Sequence, residues 1–156
     1  MNKEQSLTLR MELVWWIITA VIAFAVLFPI MKNVDEYPFL FPNLLFIIVF
    51  ITFARYIFLL KHTFLANRQI LKVVIFFLCL PLFAYLVNEL TSVRTFLDEQ
   101  GIEILVEKLT YDDHWGFTNY VKTEMYFFGA ASLVVTALLP LRLLLSVWRN
   151  RNRGTV

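Results

Sequence analysis

Apolar residues in this chain come in long unbroken blocks, not in the alternating or three-and-four spacing of a half-buried strand or helix. Residues 13–31 hold 19 positions without a charge, and residues 39–60 hold 22 whose only charge is Arg55. Residues 73–87 are free of charged groups before Asn88 and Glu89; residues 125–141 are uncharged and extend past Arg142 to Trp148. About 20 apolar residues at roughly 1.5 Å each cross a hydrocarbon core about 30 Å thick. The blocks therefore predict four membrane-spanning helices near 13–31, 39–60, 73–90 and 125–148. The third is the shortest, and a re-entrant segment is its alternative. The first competes with a secretory signal peptide, but it runs into Phe28-Pro29-Ile30-Met31-Lys32 with no small-x-small cleavage site, so it is expected to be retained.

The fold expected is an all-α membrane protein: one four-span domain over residues 1–156, an up-and-down bundle in which sequence neighbours are spatial neighbours. Residues 32–38 make a tight hairpin. The connection over residues 91–124 is too long for a turn, and Ile102, Leu105, Val106 and Leu109 have the i, i+3, i+4, i+7 spacing of a short amphipathic helix. Gly101 either ends a continuation of span three or precedes a separate helix; the separate helix is expected. No internal repeat is evident.

Composition changes this picture little: 60% hydrophobic and 17% aromatic residues suit lipid, not water, as solvent. The division of charge adds direction. Lys3, Arg10, Arg55, Lys61, Arg68, Lys72, Arg142, Arg149, Arg151 and Arg153 fall on one side with Glu4 and Glu12. Lys32, Arg94, Lys108 and Lys122 fall on the other with the remaining ten acids. Basic residues are retained in the cytoplasm, so both termini are expected inside, in a membrane of the bacterial inner type. The run from Arg149 to Arg153 directly follows a span, which favours anionic lipid over nucleic acid as its partner.

Candidate chemistry is sparse. Asn88 and Glu89 near the end of span three, with Glu124 at the start of span four, form a possible polar cluster at the outer mouth, because polar groups at membrane depth cost about 3 kcal/mol or more unless partnered. Interfacial placement is the plainer reading. Arg55 and Arg142 flank the inner mouth, where lipid-phosphate contact outweighs an anion pathway. Gly129, Ser132 and Thr136 make a small-residue stripe suited to helix contact, within the chain or with a partner. The acids of the outer loop are expected to be a solvated face without a metal, and Asp112-Asp113-His114-Trp115-Gly116 to be a turn. Pro81 is expected to kink span three.

Absences narrow the classes. The histidines, His62 and His114, fall in loops, which argues against haem between the spans. Cys79 alone cannot relay electrons as a thiol pair. No H-E-x-x-H, G-x-S-x-G or P-loop pattern occurs. No cofactor is expected. The reading is a small non-catalytic subunit or accessory protein that contacts another membrane component; a homo-oligomeric channel or transporter is the alternative.

Overall fold

A computed structural model describes residues 3–34, 36–99, 101 and 111–152. The described chain is helical: α1 (Lys3–Asn33), α2 (Leu40–Leu59), α3 (Gln69–Glu99) and α4 (Tyr111–Asn152), with two 3₁₀ turns, Leu60–His62 and Phe64–Asn67, between α2 and α3. All four α-helices are long and apolar enough to cross a membrane.

The helices outrun the charge-free blocks, because a helix is limited by its hydrogen-bond ladder and not by the run of apolar residues within it. The difference is largest in α3, where the shortest block becomes a helix of 31 residues, and in α4, of 42 residues. Pro29, Pro81 and Pro140 lie inside helices without ending them. Gly101, just beyond α3, has φ 73°, the left-handed conformation in which a glycine closes a helix without a Cβ penalty. The segment around Asp112 to Gly116, expected as a turn, is instead the start of α4. The amphipathic helix expected over residues 102–109 lies outside the described residues.

Chain direction is legible in three stacked core clusters. At the hairpin end, Ala23, Leu27 and Ile30 of α1 meet Ile47 of α2, Val93 of α3, and Val121 and Met125 of α4. In the middle, Phe46 and Val49 pack on Leu86. At the end carrying both termini, Tyr56 and Leu60 meet Leu65, Cys79, Leu139 and Leu143. Consecutive helices thus run antiparallel, which leaves α2 and α4 parallel. The contacts correct one expectation. α1 packs on α2 and α3 on α4, but α2 and α3 touch little, and the most extensive interface joins α2 to α4.

Two features explain that arrangement. The connection over residues 60–68 is long enough to carry α3 aside, and α4 offers small residues where its neighbours approach. A Cβ on Gly129 would come within 2.6 Å of Leu90 Cδ1, while Ser132 and Thr136 are buried. Their hydroxyls donate to the Gly129 and Ser132 carbonyls of the same helix, so no donor is left for a partner helix to satisfy.

Candidate functional site

Buried polar side chains that bond from one element to another gather at the two ends of the bundle, whereas Thr19, Ser132 and Thr136 bond within their own helices. At the hairpin end, Asn43 in the first turn of α2 is fully buried, and its Nδ2 donates to Oε1 of Glu124 on α4, itself 7% exposed. The same amide lies 3.4 Å from the Tyr37 hydroxyl, which donates to Met125 Sδ at 2.8 Å. Parallel packing of α2 on α4 brings the start of α2 level with Glu124, more than three turns into α4, and so creates this cluster. Burial first, then the Glu124 charge, push the Tyr37 phenol above its ordinary range, against the opposing hydrogen bond from Asn43. It is therefore a neutral donor. Glu124 Oε2 and Asn43 Oδ1 have no partner among the described residues. One turn earlier on α4, the Tyr120 hydroxyl donates to the Val26 carbonyl at 2.8 Å and ties α1 to the cluster.

Only part of the expected outer-mouth group is assembled there. Glu124 is buried and bonded to α2. Asn88 is exposed and half-buried Glu89 faces Tyr85 one turn back on its own helix. No described contact joins either to Glu124.

At the opposite end, Glu12 of α1 and Arg55 of α2 form an ion pair of 2.7 Å with side chains 11% and 5% exposed. Arg55 lies over the rings of Trp15, at 5.4 Å, and Tyr56, at 5.8 Å. The second Glu12 oxygen accepts from Phe64 N–H at 3.0 Å, which pins the connection between α2 and α3 to α1. Arg55 is therefore not an outward lipid contact: its charge is neutralised inside the chain. Arg142 is half-buried and its Nε donates to the Ile57 carbonyl at 3.0 Å. Lys72, only 1% exposed, donates to the Ala66 carbonyl at 2.7 Å and to Ser146 Oγ at 3.0 Å.

Several of these residues escaped sequence reasoning, though signals existed. Arg55 inside an apolar block calls for a counter-charge, and Glu4 and Glu12 were the only acids assigned to its side. Asn43 is a strong hydrogen-bonding side chain among apolar neighbours and needs a partner for the same reason. Lys72 carried no such signal, since nothing distinguishes it from other loop lysines before the connection folds over it.

These groups can fix helix register and hold charge at the two ends of the bundle. Among the described residues no three His, Cys, Asp or Glu side chains converge as metal ligands would. Comparison with family models, with curated proteins and with solved structures finds no match to this chain.

Proposed function

We propose that the chain is a non-catalytic subunit of the membrane, inserted four times with both ends in the cytoplasm, that works by contacting another membrane protein. The observation that carries this reading is the closed interior between the two polar ends. Phe46, Val49 and Leu86 fill the middle of the bundle, flanked by Leu82, Leu90, Phe128 and Leu133. This apolar plug separates the Asn43–Glu124 group from the Arg55 and Lys72 groups, so the described residues offer no continuous polar path through the interior of one chain. The buried Glu12 and Arg55 charges also neutralise each other within the chain, as groups that hold a fold do.

Contact with a partner falls to the outward faces of α1 and α3, where Phe24, Phe28, Phe77 and Leu80 are exposed. The small-residue stripe does not serve that role, since Gly129, Ser132 and Thr136 face the interior. Lipid covers outward apolar faces of this kind equally well, so the test is biochemical. The tagged chain, expressed at its native level and extracted in mild detergent, is weighed by native mass spectrometry. A different membrane protein in fixed ratio is the expected result. A homo-oligomer that conducts ions in liposomes, with flux altered by Glu124→Gln, would overturn the proposal and favour permeation.

A further inference from the structure

Two cavities of opposite character lie back to back at the end of the bundle that carries both termini. One, of about 370 Å³, is lined by Leu60, Lys61, Ala66, Arg142, Ser146, Arg149 and Asn150. Its α4 residues, 142, 146, 149 and 150, follow the i, i+4, i+7, i+8 rhythm of one helix face, turned toward the 3₁₀ turns. Three of the lining residues are cations and none is acidic. Glu12, an acid of the same end, is already held by Arg55 and Phe64 N–H. The volume lies near the lower end of the roughly 300–1,000 Å³ typical of small-molecule sites.

The second cavity, of about 220 Å³, runs between α3 and α4 and is walled by Val73, Phe76, Phe77, Leu143, Leu144 and Val147, with Lys72 at its rim. The hydrogen bond from Lys72 Nζ to Ser146 Oγ marks where the two adjoin, because Lys72 lines the apolar cavity and Ser146 the basic one. Lys72 is nearly fully buried, yet its hydrogen-bond partners among the described residues are a carbonyl and a hydroxyl, both neutral. A buried cation without a counter-ion is costly, and an anion in the adjoining basic cavity removes much of that cost.

From this juxtaposition we infer that the two cavities bind one anionic glycerophospholipid, its phosphate among Lys61, Arg142 and Arg149 and an acyl chain along the Phe76–Val147 groove. A free phosphate satisfies only the basic half. The inference rests on the membrane-inserted reading above but not on the accessory role. If the chain leaves membranes without detergent, insertion itself fails before any lipid is weighed.

The experiment uses the full chain in phosphatidylcholine nanodiscs doped with phosphatidylglycerol, released gently into native mass spectrometry. One phosphatidylglycerol retained per chain, in preference to phosphatidylcholine, is expected. Arg149→Gln, at an exposed position, weakens retention about fivefold, and the triple variant Lys61→Gln/Arg142→Gln/Arg149→Gln about 100-fold, at roughly fivefold per surface cation removed. Val147→Trp fills the groove and lowers lipid retention while leaving binding of inorganic phosphate unchanged. Equal retention of phosphatidylcholine, or no loss in Arg149→Gln and Val147→Trp, overturns the site. Displacement of the lipid by inorganic phosphate of similar affinity overturns the lipid assignment in favour of a free anion.

Discussion

Removing the Glu12 charge should destabilise the helix bundle far more than removing both members of the pair. Glu12→Gln keeps the shape of the side chain and an acceptor for Phe64 N–H, but it leaves the Arg55 guanidinium buried without a counter-charge. Breaking a buried pair from one side typically costs about 3–5 kcal/mol. Contacts of Arg55 with Trp15 and Tyr56 survive the substitution and compensate only in part, since a cation over a ring contributes roughly 0.5–2 kcal/mol. The expected loss is therefore about 3 kcal/mol, a factor of roughly 150 in the folding equilibrium. Arg55→Leu should cost a similar amount by stranding Glu12. The double variant Glu12→Leu/Arg55→Leu should not sum the two: exchanging a buried pair for apolar side chains is often neutral or better, against which Phe64 N–H loses its acceptor at about 1–3 kcal/mol. It should lie within about 2 kcal/mol of the parent. Denaturation by sodium dodecyl sulfate in mixed micelles, followed by far-ultraviolet circular dichroism, reads these proteins together with Glu12→Leu, the single variant that closes the double-mutant cycle. A buried, mutually dependent pair is refuted if either single variant stays within about 0.5 kcal/mol of the parent, as it would if Arg55 reached the headgroups along its own stem. Strict additivity of the two singles refutes it as well.

Other expectations test the opposite end and the helix contacts. Asn43→Ala should cost about 1.5–3 kcal/mol in the same denaturation assay, because Glu124 Oε1 loses its hydrogen bond in a buried site. Gly129→Ala should cost little by itself, since the atom it meets is the tip of Leu90; Gly129→Leu should cost about 1–3 kcal/mol or more by overpacking, and Leu90→Ala should recover part of it. The raised Tyr37 phenol gives a pH dependence with a fixed sign. The unfolded phenol ionises near pH 10 while the folded one stays neutral, so its contribution is complete below about pH 10 and falls as pH rises beyond it. Tyr37→Phe should therefore make stability less sensitive to alkali, as read from denaturation midpoints on either side of that value.

What could be read before any coordinates follows from which forces are local. Charge-free length and basic asymmetry depend on composition alone, so four apolar helices were legible from residues such as Leu13 to Met31 and Met125 to Leu141. Helix ends were not, because α3 runs on through Arg94 and Asp98, whose spacing lets them pair across one turn at 3.6 Å, and charge does not terminate a helix. The parallel α2–α4 interface was hidden for another reason. It depends on a connection long enough to displace α3 and on which faces of Gly129, Ser132 and Thr136 turn inward, neither of which is set by a window of sequence. The polar clusters inherit that gap: Glu124 stood out as a carboxylate near hydrocarbon, but Asn43, 81 residues away, became its partner only once α2 and α4 were side by side. Arg55 likewise needed α1 to begin well ahead of its apolar block for Glu12 to be helical and in reach.

The proposed role requires four crossings with both ends inside, and impermeant thiol labelling of intact cells tests that most directly. In a Cys79→Ala background, Glu36→Cys and Asp112→Cys should react with a membrane-impermeant maleimide from outside, whereas Arg68→Cys and Asn150→Cys should react only after the membrane is opened. Labelling of Asn150→Cys and protection of Asp112→Cys in intact cells would invert the orientation, and equal reactivity at all four positions would contradict membrane insertion altogether.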